Sequence, residues 1–474
     1  MTSARLKRIY DRLPPTAQSL LLSAYHLKVD RERYGPRFRA AVDELARTEW
    51  TGAEALREYQ DVHLCETVRH AARNVPFYSR RFAEHGVDVA GFRGVDDLPR
   101  LPILTRADII AHFDDLVATN CERRNLVIGH TSGTTGSPLE VLHDGAVTSM
   151  TYALLDRQYR WAGLSLGRGG DPVAVLRGNV IVPIERSGPP HWRVNRVHNQ
   201  LLMSSFHMSE RNLAGYVDAI RRFGAVALDG YPSTIFLLAR FVAGSGTSLP
   251  MRAVITSSET LYPFQREAIE GAFGCRVFDY FAAAERVVFA TECDAHEGHH
   301  VASEYGVVEF VDADGRQVPD GETGAMLGTS LHNHGMPLIR YRCNDVSAFR
   351  TSSCRCGRAL PLMEDVSTKA EDIIALADGR MISPSVLTHP FKPMHSVEES
   401  QVVQEAYDHI VIRIKPNAQF TEAERDHLVR EFRVRLGQDV RVDVEVVERI
   451  PRTASGKFKW VVSKVDRAIQ VPQG

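Results

Sequence analysis

The chain has 474 residues, 44% of them hydrophobic and 24% charged, and 57 Lys plus Arg against 59 Asp plus Glu leave a net charge of −2. That length exceeds one ordinary core and implies two or three domains of a globular protein, while the near-zero charge gives no footing for nucleic acid or an anionic membrane. No apolar run reaches the roughly 18 residues needed to cross a bilayer, and seven cysteines, an odd number, do not make a disulfide framework, so the expected compartment is the cytoplasm.

The opening stretch "MTSARLKRIYDRLPPTAQSLLLSAYHL" sets basic residues before a short apolar piece. Pro14, Pro15, Thr16 and Gln18 interrupt it and no small-residue cleavage site follows, which argues against a signal peptide and for a docking or amphipathic helix. Residues 1–100 are rich in Ala, Glu, Arg and Leu at helical spacing and are read as a helical region. "LPRLPILTRADII" is a Pro-punctuated connector leading into a capped helix. From about 126 onward, short β-branched runs ("NLVIGH", "PVAVLRG", "AVALDGY", "RAVITSS", "CRVFDYF") alternate with helical stretches, the pattern of an α/β sheet. Between 300 and 350 the runs become antiparallel in character around the turn "DADGRQVPDGETG". After about 370 a small α+β unit is expected. It holds the strand "HIVIRIKP", a helix with Thr421 and Glu424 as capping box and Gly437 as stop, and the alternating strand "DVRVDVEVVERI". The boundaries expected are 1–100 for the helical part of a large domain, 101–369 for its nucleotide- and substrate-binding core, and 370–474 for the small domain.

"HTSGTTGSPLEVLHDG", His130 to Gly145, carries almost no side chains to pack. Such a loop exposes backbone N–H groups and hydroxyls that can wrap phosphate oxygens. It lacks the GxxxxGK[ST] order of a Walker loop. "TSGTTGSPL" resembles the phosphate loop of the adenylate-forming (AMP-binding) superfamily of acyl-CoA synthetases, luciferases and adenylation domains. Within it the chain is most similar to the phenylacetate–CoA ligase family, in its capsular-polysaccharide-biosynthesis-like branch. The similarity continues in family order through "LPILTRADI", "NQLLMSSFHMS", "DGYPSTIFLLA", "ITSSETL", "VFDYFAAAE", "PLIRYRCND", "CRCGRALP" and "IPRTASGKFK".

The resemblance implies an α/β fold: a large adenylate-forming domain of mixed sheets with flanking helices and a small, mobile α+β C-terminal domain. It implies attack of a carboxylate on the α-phosphate of Mg-ATP, giving an acyl-adenylate and pyrophosphate, and then displacement of AMP by a thiol, CoA above all. Ser132, Gly133, Thr134, Thr135 and Gly136 match the phosphate-holding residues, Thr134 with a catalytic part, although Ser137 stands where the family usually has Lys. Glu285 matches the acid that holds Mg²⁺. Asp279, Tyr280 and Phe281 lie along the segment that ends at it, Phe281 on the adenine, with Phe281-Ala282 replacing the usual Tyr-Gly. Ser258 and Glu259 match the turn beside the adenine, and Asp345 the carboxylate on the ribose, with Asn344 in place of a glycine. Lys457 matches the catalytic lysine of the small domain. Thr368-Lys369 replaces the family's Gly-Arg at the hinge, and Lys369 keeps the charge without a bidentate fork. The acid pocket is expected from Ser205, Phe206, His207, Tyr231, Pro232, Ala282 and Ala283, with Phe206 and Phe281 hinting at an apolar or aromatic acid.

Cys354 and Cys356 form a CxC pair, and "CDAHEGHHVASEYGVVE" upstream offers Cys293 and three histidines. Three thiolates and an imidazole complete a closed, structural zinc site; His300 is taken as the fourth ligand because it precedes the "SEYGVVE" strand, with His296 and His299 as alternates. The resemblance supports Cys, His and CxC at these points. The expected ligands are therefore ATP, Mg²⁺, Zn²⁺ and CoA, with a small carboxylic acid as substrate. An amine acceptor, a separate carrier protein and a homodimer stay open, and a nucleotide-binding homologue without turnover, or a structural partner in polysaccharide assembly, is the reading from another class.

Overall fold

The computed structural model describes residues 10–130, 139–183, 186, 188–366, 374–378, 380–382, 384–387, 389–391, 394, 396–450 and 460–465. Ser132, Gly133, Thr134, Thr135 and Gly136 of the phosphate loop, Lys369 and Lys457 lie outside these residues.

Proline marks the helix starts of the N-terminal region: α1 (Pro15–Arg33), α2 (Pro36–Thr48) and α4 (Pro76–Glu84) each open on it, where its missing N–H has no helical partner to lose. Between them runs α3 (Ala53–Asn74). Leu64, Val68 and Ala71 of α3 and Phe77, Tyr78 and Phe82 of α4 share one core with Met326, Leu338, Ile339 and Tyr341. The Tyr78 hydroxyl accepts the Ile339 N–H at 3.0 Å inside it. Helices α3 and α4 are thus built into the large domain's core. Next come α5 (Arg106–Ala111), opened by a Thr105–Asp108 capping box, the antiparallel pair β1 (Val127–His130) and β2 (Glu140–His143), and α6 (Gly145–Trp161), capped by Asp144.

The central sheet grows from the β-branched runs read in the sequence. It holds β3 (Val173–Leu176), β4 (Trp192–Asn195), β5 (Gln200–Met203), β6 (Ala227–Gly230), β7 (Ala253–Ser257), β8 (Arg276–Ala282), β9 (Phe289–Glu292), β10 (His299–Val301) and β14 (Leu362–Met363). Their order is β14-β10-β9-β8-β7-β6-β3-β5-β4. The five strands β5-β3-β6-β7-β8 are mutually parallel, and antiparallel strands extend both edges. β3, β6 and β7 are buried at every residue, as strands covered on both faces must be. The covering helices include α7 (Glu210–Phe223), α8 (Pro232–Gly244) and α9 (Pro263–Phe273). A parallel arrangement sends the carboxyl ends of all five strands to one edge, where open α/β sheets bind ligands.

A second, antiparallel sheet of β11 (Gly306–Val311), β12 (Gly324–Ser330) and β13 (Tyr341–Ser347) follows, matching the change of character seen after residue 300. Arg340 enters β13 as a buried tie: its guanidinium forks onto both oxygens of Glu309 at 3.0 and 2.9 Å and donates to Leu101 O at 2.8 Å, fixing the proline connector to the sheet.

In the C-terminal unit the short antiparallel pair β15 (Ile374–Ala375) and β16 (Met381–Ile382) precedes β17 (Val397–Ala406), β18 (His409–Pro416), β19 (Arg441–Val446) and β20 (Val461–Ser463), which are ordered β19-β18-β17-β20. Against them lies α10 (Glu422–Leu436), opened by the Thr421–Glu424 capping box and stopped at Gly437. Leu428, Phe432 and Leu436 supply the buried face, at the helical spacing the sequence displayed. Strand β17 was not legible as such, because "VEESQVVQEA" begins with charge and alternates only in part. Phe206 of the large domain enters this unit's core, and Arg380 donates to Phe206 O at 3.2 Å.

Candidate active site and a thiol–imidazole cluster

The carboxyl ends of the parallel strands carry polar groups where chemistry is expected. Arg177, the first residue after β3, extends across the neighbouring strand ends. Its Nε and Nη2 donate to Asp229 Oδ1 at 3.0 and 2.6 Å, its Nη2 to the Tyr280 hydroxyl at 2.9 Å, and its Nη1 to Ser257 Oγ at 3.2 Å. The Tyr159 hydroxyl donates to the other Asp229 oxygen at 2.8 Å. Burial works against the Arg177 charge, but Asp229 beside it outweighs that and holds the guanidinium charged, well above its ordinary range. Glu259 accepts the Ser233 N–H and hydroxyl at 3.0 and 3.1 Å, joining the turn after β7 to the first turn of α8; Ser258 in that turn has φ 71.

Glu285 lies just beyond β8. Burial pushes its carboxyl up, and the Tyr341 hydroxyl, donating to Oε1 at 3.1 Å, and the nearby Arg106 cation oppose that rise. Asp345 stands four residues further along β13. The phosphate loop's flanks are side by side: His130 pairs with Glu140 across β1 and β2. An acid, a hydroxyl and a cation are therefore gathered where two strands from different sheets end, an arrangement able to bind a hydrated cation and a polyanion together.

A second cluster sits lower on the sheet. Cys293 follows β9, His300 lies on β10, and Cys354 and Cys356 come from the loop before β14; their four ligand atoms all fall within 4.8 Å of one another. Cys293 Sγ and Cys354 Sγ are 3.6 Å apart, and Cys356 Sγ and His300 Nε2 3.4 Å. Tetrahedral zinc with bonds of about 2.3 Å to sulfur and 2.0 Å to nitrogen spaces its ligands at roughly these separations. Burial pulls the His300 imidazole down to about 4, so it is neutral at pH 7, and its Nδ1 side meets Leu360 O at 3.4 Å, leaving Nε2 with a lone pair toward the thiols. The Ala295 and Arg358 N–H groups point at Cys293 and Cys356 sulfur at 3.4 and 3.5 Å. The donor set fits a closed tetrahedral ion.

The comparisons fit the same frame. Residues 374–464 match the model of the CapK C-terminal domain. The chain is 25% identical over 476 residues to Protein CapK of Staphylococcus aureus, covering 97% of this chain and 100% of that protein. It is 24% identical over 453 residues to a phenylacetate-coenzyme A ligase of Thermus thermophilus, covering 86% and 96%. The fold superposes on 2-hydroxyisobutyryl-CoA ligase, in complex with 2-HIB-AMP and CoA, with TM-score 0.59 at 22% identity over 88% of this chain and 91% of that one. The chain is a homologue of CapK and the phenylacetate-coenzyme A ligases, on the adenylate-forming fold.

In this CapK homologue the expected site residues separate into two groups. Tyr280, Phe281, Ala282, Ala283 and Glu285 follow one another at the end of β8, Tyr231 and Pro232 follow β6, Ser205 follows β5, and Ser258 and Glu259 follow β7, all on the ligand edge. Three others are engaged within the protein itself. Asp279 points to the opposite face from Tyr280, since strand side chains alternate; it is buried between Thr256 Oγ1 at 2.6 Å and His299 Nε2 at 3.2 Å and holds the sheet together rather than a nucleotide. Phe206 is 2% exposed and packs into the C-terminal core, against which Tyr231 also lies. His207 is buried in a stack with His191, ring centroids 4.3 Å apart, and its Nδ1 meets Ser204 Oγ at 2.8 Å. Of the three histidines considered for the cluster, His300 is the one present; His299 faces Asp279 and Asp365, and His296 faces Glu292.

Sequence reasoning missed Arg177, Asp229, Tyr159, Tyr341 and Arg106. A signal was available for Arg177, a lone cation directly after the apolar run "PVAVL", which a buried parallel strand tolerates only at its end.

Proposed function

We propose that this CapK homologue is an ATP-dependent, carboxylate-activating ligase. It forms an acyl-adenylate and pyrophosphate and then passes the acyl group to the thiol of CoA. The observation that carries this reading is similarity over nearly the whole chain to CapK and to proteins named phenylacetate-coenzyme A ligase. A carboxylate is a poor electrophile at neutral pH; bonding it to AMP gives it a leaving group. The protein's work is to hold two anions in line and offset their charge.

Within that reading, Glu285 would hold the Mg²⁺ that accompanies ATP, and Asp345 the ribose. Ser132, Gly133, Thr134, Thr135 and Gly136 would receive the β- and γ-phosphates, Lys369 would face the nucleotide at the hinge, and Lys457 would reach the α-phosphate. Phe281 offers a ring to the adenine. Residues 370–474 would turn as a small domain between the two half-reactions. The Cys293, His300, Cys354 and Cys356 cluster would hold a structural Zn²⁺ whose role is cohesion, since all four positions of the tetrahedron are taken by protein atoms.

ATP–pyrophosphate exchange tests the proposal: the protein is offered aryl, fatty, hydroxy and amino acids with neither CoA nor amine present. Exchange with one class establishes the first half-reaction, and added CoA then yields a thioester. ATP binding without exchange for any acid makes the chain a nucleotide-binding homologue instead.

A pH effect follows from the Glu285 environment. The Tyr341 hydroxyl stabilises the ionised carboxylate, so Tyr341→Phe lets burial raise it further. Activity needing ionised Glu285 is lost as pH falls through its pKa. The acid limb of kcat/KM for ATP should accordingly move to higher pH in Tyr341→Phe; a limb that stays put or moves down removes Glu285 from the profile.

A further inference from the structure

The strand-end network does more than brace the sheet. Tyr280 Oη accepts from Arg177, whose guanidinium has no lone pair to accept in return, so the Tyr280 proton is left to donate elsewhere. Among the described residues no acceptor is recorded for it, although the ring is held in place by stacking on Phe289 at 5.5 Å and 7°. Tyr231, after the next-but-one strand, is turned to the C-terminal unit instead: it packs against that unit's core, and a Cβ at Gly178 would meet Val386 at 3.0 Å and the Tyr231 oxygen at 3.1 Å. One phenol with an unspent proton therefore stands at the end of β8, beside an arginine that keeps 23% of its side chain exposed.

The charge at this point is balanced. Arg177 is matched by Asp229, and Tyr159, Tyr280 and Ser257 add only neutral dipoles. A second carboxylate on the substrate would enter against a pair whose charge is already balanced, and a hydrocarbon chain would cover the donor without satisfying it. A neutral oxygen meets both conditions. We propose that the acid activated here carries a hydroxyl group on its body, seated against the Tyr280 hydroxyl beside the Arg177–Asp229 pair. This inference rests on the ligase reading and names its substrate class as hydroxylated carboxylic acids, in place of the apolar or aromatic acid suggested by the sequence.

The test is pyrophosphate exchange with matched acids: butyrate against 3- and 4-hydroxybutyrate, benzoate against 4-hydroxybenzoate, gluconate as a polyol acid and succinate as a dianion. Leaving a buried donor unmet costs enough that the hydroxylated member should be favoured by roughly 10–100-fold in kcat/KM. Tyr280→Phe removes one oxygen and keeps the ring, and should bring that ratio down by about tenfold; thermal melts of both proteins confirm equal folding. A hydrocarbon acid preferred by the wild type, succinate preferred over every hydroxy acid, or a ratio unchanged in folded Tyr280→Phe overturns the inference while leaving the ligase reading intact. ATP binding without exchange for any acid overturns the ligase reading, and the inference falls with it.

Discussion

Replacing Lys457 with alanine should slow ATP–pyrophosphate exchange on the order of 10²–10³-fold, the usual effect of losing one preorganised donor at a developing charge. Transfer of the acyl group from a preformed adenylate to CoA should be far less affected, because the bond between carboxylate and phosphate already exists. The segment "IPRTASGKFK" is bounded by two residues fixed in the C-terminal core: Ile450 and Trp460 are both fully buried, and the Trp460 indole donates to Ser400 Oγ at 3.1 Å. A change at Lys457 therefore lies between anchors and need not disturb them. Lys457→Arg is the informative companion, since it retains charge with a different shape; partial recovery points to charge at the α-phosphate, and no recovery to the compact ammonium. Equal loss in both half-reactions would assign Lys457 to folding or docking.

The fold was legible because its signals were local. Val173–Leu176, Ala227–Gly230 and Ala253–Ser257 are short apolar runs followed by polar punctuation, and each became a parallel strand. Thr421 and Glu424 stood three apart before an apolar stripe, and both capping bonds formed. What stayed hidden depended on which face of a strand a residue takes in three dimensions. Asp279 and Tyr280 are neighbours in sequence, yet one seals the inside of the sheet and the other faces the ligand edge. The sequence reading set Phe206 in the pocket wall without foreseeing that the C-terminal unit packs on it. The partnership of Arg177 with Asp229, 52 residues apart, needs β3 and β6 to be adjacent, and adjacency is a property of topology that neither segment announces. Cys293, His300, Cys354 and Cys356 were readable together because thiols and imidazoles are rare enough for their grouping to carry information.

Cys354→Ser tests that cluster with a large and separable effect. Wild-type protein purified without chelator should carry about one zinc per chain by elemental analysis, and the variant little or none, because three donors close a structural tetrahedron poorly. Metal that binds only the folded state stabilises it by roughly 4 kcal/mol at a thousandfold excess over its Kd. Chelation or Cys354→Ser should therefore lower the melting temperature by roughly 4 °C in a chain of this length. The loss should also be local in origin. Cys293 and His300 hold the β9–β10 edge, and Arg358, beside Cys356, stacks on Trp161 of α6 at 4.3 Å and forks onto Glu49, so the cluster binds the sheet edge to the N-terminal helices. The strand register places Cys293 away from the catalytic edge: Ala290 pairs with Phe281 and Thr291 with Tyr280, so the chain has run back down the sheet before it reaches the cysteine. Exchange activity measured well below the melting temperature, with Mg²⁺ in excess, should survive while thermal inactivation accelerates. Immediate loss of exchange in a chelated protein that remains folded would instead make the metal part of the chemistry, and a wild-type protein that melts identically with and without chelator would leave the four side chains as a buried thiol cluster with no ion to hold.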